Sequence, residues 1–376
     1  MSDKHFLSQA LALASQAIGL SDPNPRVGCV LVSRQGEVIG QGHTQHAGGP
    51  HAEVMALRDA LARGAATAGA TAYVTLEPCS HHGRTPPCAD ALVTARLARV
   101  VVALLDPNPR VAGRGVERLR AAGVLVEVLA TDDPLSVQAR ELNMGFLSRM
   151  VRQRPWVRMK LAASLDGRTA LDNGQSQWIT GPAARADGHA WRARASAVLT
   201  GIGTVLADDP RLDVREVPTA RQPSRVVLDS LWRTPATARL LAPPGDVLIY
   251  GLETQSADQA AHARWLALQN TSSTLVTSPG QTQVDLAFVL QDLARRGVNE
   301  LHVEAGARLN AAFIQGDWVD EVLVYLAPKL IGPGRGLAAL PPLPQLSEAW
   351  LLAFHEVAMV GDDLRLTARP PGRARF

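Results

Sequence analysis

Apolar positions along this chain fall into short runs of two kinds, some with the period of a strand and some with that of a helix. Val27 to Val32 and Val38 to Gln41 flank Gln35-Gly36 and predict a hairpin. Val54, Leu57 and Leu61 then repeat at helical spacing within a segment from about His51 to Arg63. A strand (Ala72 to Leu76), a helix opening at Cys88 and a strand (Val100 to Leu105) follow, then a helix near Gly115 to Ala122 and a strand (Val124 to Leu129). This alternation predicts an α/β unit on a mostly parallel sheet covered on both faces. A helix-like segment, Leu135 to Leu147, leads into the basic stretch Arg149 to Pro155, which marks the boundary. Residues 1–148 are expected to form one domain and residues 149–376 another.

A second α/β pattern fills the rest. Strands are expected at Trp156 to Leu161, Ala197 to Leu199, Arg225 to Leu228, Val247 to Tyr250, Thr274 to Thr277, Glu300 to Val303 and Val322 to Leu326. Helices fit Ala183 to Ala195, Leu286 to Arg296 and Ala307 to Gln315, and Glu356 to Thr367 resembles a hairpin turned at Gly361-Asp362. The second half has no cysteine, so it is not a repeat of the first.

Composition narrows the partners. Net charge is +3, the arginines are scattered and aromatics make up 4%, whereas a nucleic-acid surface wants basic stripes and stacking rings. No run approaches the eighteen apolar residues of a membrane span. Met1 to Leu20 reads as an amphipathic helix rather than a signal peptide, and the tail Arg369 to Arg375 as a frayed end. Three cysteines, two of them near a histidine, argue against a disulfide scaffold and for a reducing, cytoplasmic setting.

The chemistry is concentrated in His51-Ala52-Glu53, Pro78-Cys79 and Pro87-Cys88. One histidine and two cysteines make a three-ligand zinc site with a position left open for water. The metal lowers that water's pKa, and Glu53 can carry protons from it to a departing amine, as in the zinc deaminases. Eight residues separate the cysteines, more than the usual Pro-Cys-x-x-Cys spacing allows, but a helix opening at Cys88 favours the thiolate that zinc needs. Two other readings stand beside this one. The three residues could be unrelated, or His81 or His82 could close a purely structural site, which would have no need of Glu53. Cys29, within Val27 to Val32, reads as strand core. On a regular helix His51 and Glu53 point to different faces; they converge only at a first turn, where Pro50 fits as the opening residue.

In the second half, Gly201-Ile202-Gly203 lacks the third glycine of a dinucleotide fingerprint. Val303-Glu304-Ala305-Gly306 ends a strand just before a helix, a place that suits anions. Either could equally be an ordinary strand-to-helix turn. No lysine follows a Walker-type loop.

Taken in order, these segments resemble a known family. Asn24-Pro25-Arg26-Val27-Gly28, Gly49-Pro50-His51-Ala52-Glu53 and the run Thr75 to Cys88 are similar to the deaminase half of the bifunctional deaminase/reductases of riboflavin biosynthesis, stretched cysteine spacing included. Met159 to Arg168, Ser176 to Thr180, Leu199 to Pro210 and Val303 to Gly306 are similar to that family's reductase half. The resemblance implies a cytidine-deaminase-like three-layer α/β/α domain followed by a dihydrofolate-reductase-like α/β domain, with Zn2+ and NADPH as cofactors. It implies hydrolysis of a 2-amino group on a ribosylaminopyrimidine 5′-phosphate, then reduction of its ring-opened ribose to ribityl. By motif position it assigns zinc to His51, Cys79 and Cys88, proton transfer to Glu53, and the first substrate to Asn24, His43, Arg84, Asp106 and Asn108. Arg84 stands where many relatives carry lysine and would hold a phosphate with different geometry. In the reductase, Ser176, Arg192, Leu212, Arg215 and Glu304 match substrate positions. Ala162, Trp178, Thr204, Asp208, Ser230 and Gly306 match NADPH positions. Arg192 and Arg215 suit a phosphate because arginine meets it bidentately, a surface charge being the alternative for each. Lys160 and Asp166 are the polar candidates for supporting reduction. A homo-oligomer is the family's expectation. The rivals are a zinc nucleoside or RNA-base deaminase fused to an unrelated reductase-like domain, and a zinc-stabilised binding protein.

Overall fold

The computed structural model describes residues 2–81, 86–109, 111–253 and 259–376. Two compact units divide the chain, Met1–Gln153 and Arg154–Phe376.

The first unit contains α1 (Asp3–Ser15), β1 (Gly28–Val32), β2 (Val38–His43), α2 (Ala52–Ala62), β3 (Thr71–Val74), α3 (Cys88–Thr94), β4 (Arg99–Val102), α4 (Arg114–Ala121), β5 (Leu125–Val128), α5 (Pro134–Leu142) and α6 (Met144–Arg152). Its sheet has the order β2-β1-β3-β4-β5. Only β3, β4 and β5 run parallel, because β1 pairs antiparallel with both β2 and β3. The sheet is therefore mixed rather than mostly parallel. The α2 crossover makes β3 parallel to β2, and β1, reversed by its hairpin, lies between them.

Alternate strand residues feed two separate cores, as period-two side chains must. Cys29, Leu31, Val74 and Val102 pack toward α2, α3 and α4, while Val30, Val32, Tyr73 and Val101 pack toward α1 and α5. That is the expected three-layer arrangement. The buried stripe of α2 differs from the predicted one. Ala52, Ala56 and Ala60 face the sheet, and Leu61 is 79% exposed. A Cβ on Gly42 would lie 2.4 Å from the Cβ of Met55 and 2.7 Å from the amide of Ala56, so α2 sits almost directly on β2. Only small residues fit between them.

The expected helix over 135–147 is two helices. Asn143 interrupts it by turning its side chain onto the backbone of Arg26, accepting from the amide at 2.8 Å and donating to the carbonyl at 3.0 Å. The expected join at 148–149 lies within α6, and Gln153, with φ of +57°, follows that helix.

The second unit contains β6 (Trp156–Ser164), β7 (Arg168–Leu171), α7 (Pro182–Arg194), β8 (Ala197–Gly201), α8 (Ile202–Asp208), β9 (Ser224–Leu228), β10 (Val247–Leu252), α9 (Gln259–Gln269), β11 (Thr274–Ser278), α10 (Leu286–Arg295), β12 (Glu300–Val303), α11 (Ala307–Gln315), β13 (Glu321–Ala327), β14 (Gly334–Gly336), β15 (Ala353–Val360) and β16 (Asp363–Arg369). Nine strands form one sheet in the order β11-β10-β9-β8-β12-β6-β13-β16-β15, and β7 pairs with β14 apart from it. The hydrophobic pattern did not reveal β7, β14, α8 or α9.

The two central strands carry opposite chemistry on their two faces. Val157, Met159, Leu161, Leu301 and Val303 enter the apolar core. The intervening positions, Arg158, Glu300 and His302, are also buried but polar. Arg158 donates to Glu300 at 2.9 Å and to Glu321, and Arg194 donates to Glu300 at 2.9 Å. Arg369 donates to Glu321 at 2.8 Å. The Arg158 guanidinium also lies 4.3 Å from the centre of the Trp191 ring. Burial of this many charges is tolerable only because each is paired.

Candidate active sites

In the first unit the site gathers at one end of the sheet. His51 is not a helical residue but the N-cap of α2, with extended backbone (φ −78°, ψ 169°), and Glu53 lies in the first turn after it. That removes the conflict between the two side chains expected on a regular helix. Cys79 follows the loop leaving β3, and Cys88 is the first residue of α3. The ligand atoms of His51, Cys79 and Cys88 all lie within 4.8 Å of one another. His51 Nδ1 is 3.6 Å from the Cys79 sulfur and 3.3 Å from that of Cys88, and the Cys88 amide donates to the Cys79 sulfur at 3.3 Å.

These separations suit zinc. Bonds of about 2.3 Å to sulfur and 2.0 Å to nitrogen, arranged tetrahedrally, leave neighbouring ligand atoms roughly 3.5–3.8 Å apart. Among the described residues His81 does not join the cluster, so a closed site with that fourth ligand is not formed; His82 lies outside the described residues. Hydrogen bonds from Cys88 and His51 hold the Cys79 thiol down to about 4 against the effect of burial. Burial, reinforced by the negative charge of Cys79, pushes the buried Glu53 carboxyl up to about 7. A carboxyl at that value can both take and return a proton near neutrality.

Glu77, just ahead of Pro78-Cys79, is a residue supporting the site that the sequence reasoning missed. Its buried carboxylate accepts backbone N–H bonds from Asp106, Gly113, Gly115 and Val116, at 2.9 to 3.2 Å. One side chain thus joins the cysteine segment to the loop carrying Asp106 and Asn108. Asp106 accepts the Asn108 amide at 2.8 Å, and burial raises its carboxyl to about 7, the charges of Glu77 and Cys79 adding to the effect. His43 ends β2 opposite Gly28 at the start of β1, and burial lowers its pKa. Asn24 lies in the segment before β1, and Arg84 lies outside the described residues.

In the second unit the expected positions lie at the carboxyl ends of adjacent parallel strands. Ala162 is near the end of β6, Gly201 ends β8 before Thr204 and Asp208 on α8, Ser230 follows β9, and Gly306 caps α11 after β12. From β8 to β11 the chain builds outward on one side, while β12 and β6 lie on the other. The crevice between β8 and β12 is therefore a topological switch point, where open α/β sheets bind ligands. The chain can come close there: Gly203 has nothing within 4 Å of where a Cβ would stand, and Gly306 has only the Thr204 hydroxyl, at 4.0 Å. These features fit a dinucleotide cofactor.

Glu304 follows β12 and pairs with Arg192 of α7. Arg192 meets it bidentately, with Nη2 donating at 2.9 Å, and Nη1 of Arg192 donates to the Asp213 carbonyl at 3.0 Å. Burial would raise the Glu304 carboxyl, but Arg192 and Lys160 hold it far below the usual carboxylate range. Lys160, on β6, is pushed down by burial while Glu304 opposes the shift. His302 is fully buried and kept uncharged by burial, with a pKa of about 3. Ser176 lies in the loop after β7, and Leu212 is buried with φ of +53°. Trp178 is 64% exposed, with the Arg185 guanidinium 4.5 Å from its ring centre. Lys329, another residue unforeseen from the sequence, donates to the carbonyls of Trp178 and Ile179 at 3.2 and 2.7 Å. Asp166 accepts the Ser164 hydroxyl and the Gly332 amide, which commits it to shaping the β6–β7 turn.

Comparison with known proteins assigns both halves. Residues 1–104 match the cytidine and deoxycytidylate deaminase zinc-binding region, and residues 155–366 match the RibD C-terminal domain. The chain is 44% identical over 379 aligned positions to the riboflavin biosynthesis protein RibD of Escherichia coli, covering 97% of this chain and 99% of that one. The chain belongs to the RibD family. Solved RibD structures agree along the whole length. The Acinetobacter baumannii RibD superposes with a TM-score of 0.86 at 41% identity, covering 98% of each chain. The Thermotoga maritima diaminohydroxyphosphoribosylaminopyrimidine deaminase/5-amino-6-(5-phosphoribosylamino)uracil reductase gives 0.85 at 32% identity, again over 98% of each. This is a bifunctional enzyme of the RibD type, a zinc-binding deaminase domain followed by an NADPH-dependent reductase domain. Because the match runs through both domains, the rival of a deaminase fused to an unrelated second half falls away. No helix among the described residues is long and apolar enough to cross a membrane.

Proposed function

We propose that the chain converts 2,5-diamino-6-ribosylamino-4(3H)-pyrimidinone 5′-phosphate to 5-amino-6-ribitylaminouracil 5′-phosphate in two steps. The observation that carries this reading is the convergence of His51, Cys79 and Cys88 beside a buried Glu53, in a chain that continues into a RibD reductase domain. Zinc held by those three residues supplies Lewis acidity for hydrolysis. Glu53 takes a proton from the attacking water and delivers it to the 2-amino group, which leaves as ammonia. Asn24, His43, Arg84, Asp106 and Asn108 orient the pyrimidine and its phosphate.

For the second step NADPH supplies the hydride. Ala162, Trp178, Thr204, Asp208, Ser230 and Gly306 would hold the cofactor, while Ser176, Arg192, Leu212, Arg215 and Glu304 would hold the substrate. Lys160, set against Glu304, would stabilise negative charge developing on the sugar carbonyl oxygen, which takes its proton from water. Mass spectrometry of the zinc-loaded protein with substrate and NADPH tests the reading. The expected product has one amine replaced by oxygen and two hydrogens added. Deamination without reduction overturns the account of the second unit, and unchanged substrate overturns both.

The reading extends to assembly and location. β15 is an open edge of the large sheet and exposes Phe354, Val357 and Met359. An exposed edge is a template for pairing with another chain, and closed twofold dimers are the commonest homo-oligomers. Sedimentation should give twice the 40.0 kDa chain mass. A protein with three free thiols, two of them reserved for metal, suits the reducing cytoplasm.

A further inference from the structure

The segment between α8 and β9 holds two arginines on one buried acid. Asp213 is buried, and its two oxygens serve different partners. Arg211 donates to one through Nε at 2.9 Å and approaches it through Nη2 at 2.9 Å, while Arg215 donates to the other through Nη1. Two guanidiniums on one carboxylate leave one net positive charge. Both side chains remain part-exposed, 38% for Arg211 and 45% for Arg215. Arg211 keeps Nη1 outside these contacts, and Arg215 keeps Nε and Nη2. A guanidinium carries five N–H donors, and those left over are aimed by the contact already made.

Helix α7 anchors this segment twice. Arg192 donates to the Asp213 carbonyl, and the Arg215 amide donates to Nδ1 of the buried His189 at 3.3 Å. Because His189 accepts at Nδ1, its proton sits on Nε2, toward Glu216 at 3.8 Å. Arg192, by contrast, is committed to Glu304. The pair on Asp213 keeps donors to spare on side chains that are part-exposed.

We infer that Arg211 is a phosphate-binding residue of the reductase, acting with Arg215 as a two-guanidinium clamp that Asp213 and His189 hold in position. The inference rests on the proposed phosphorylated substrate and adds a residue that the family resemblance does not mark. Arginine forks suit a phosphate monoester, whose several oxygens can accept from two guanidiniums at once.

The test is steady-state kinetics of the reductase step on the zinc-loaded full chain, using the deaminated intermediate with and without its 5′-phosphate. Arg211→Gln should raise KM for the phosphorylated compound about tenfold, the loss of one charge-assisted contact, with kcat and the KM for NADPH unchanged. The compound without phosphate should show no change between wild type and variant. Arg211→Lys, which keeps charge but not the fork, should fall between them. Equal KM increases for both compounds, or no increase for either, overturn the inference. A wild-type enzyme that does not distinguish the two compounds overturns instead the proposed recognition of a phosphorylated substrate. A second variant, His189→Asn, keeps an acceptor where Nδ1 stands. It should stay close to wild type, whereas His189→Leu should raise KM for the phosphorylated compound alone; matched losses in the two would remove His189 from the argument.

Discussion

Glu53→Gln should slow deamination by about 10²–10⁴-fold, the usual contribution of a positioned general acid–base, while the protein keeps its zinc. Glutamine occupies nearly the same volume but cannot shuttle protons. In this chain Glu53 is buried against the two thiols. Metal analysis should find one zinc per chain in both proteins, and the deaminated intermediate should still be reduced at the wild-type rate. Cys88→Ser provides the contrast: it removes a zinc ligand, so both metal and deamination should go. A Glu53→Gln enzyme that deaminates normally would remove Glu53 from the chemistry, and one that loses zinc would make it a structural residue.

The second large effect is expected at Glu304. In Glu304→Gln, the part-buried Arg192 and Lys160 lose the carboxylate that pairs with them, which costs up to roughly 3–5 kcal/mol, the range for removing one partner of a buried pair. Reduction should be lost with this stability, and deamination retained. The pH dependence follows from the direction of the shift. Glu304's carboxyl is held below its unfolded value, so its contribution is complete above about pH 4.3 and disappears only as pH falls below it. Urea midpoints at pH 7 and pH 4 should both favour wild type, and the gap should close only in stronger acid. A variant as stable as wild type at pH 7 would mean that the cations find water instead.

How much of this could be read from the sequence depended on whether the cause was local. Both helices that bear zinc ligands were legible because Pro50 and Pro87 announce their starts and the ligands lie within one residue of them. The strands were legible from β-branched runs, with ends misplaced by up to three residues, as with β3 and β6. The buried face of α2 was not, because it depends on Gly42 lying across the sheet and not on the helix itself. Asn143 looked like one more helical residue until its partner, the backbone of Arg26, was known. Glu77, Asp213 and Lys329 escaped for the same reason: each acts on backbone or side chains that folding brings to it. The carboxyl-end clustering of the cofactor positions also depends on strand order, which no local pattern states.

The two-faced character of β6 and β12 has a consequence for how this domain can change over generations. Oil and ions alternate residue by residue, so Lys160 stands where it does only because Met159 and Leu161 stand on either side. Substitution can tune any one of these positions. Insertion or deletion of a single residue inside either strand would exchange the two faces entirely, burying the charges in the core and turning methionine and leucine toward the substrate. The lineage is therefore free to vary its loops and closed to length variation in these two strands.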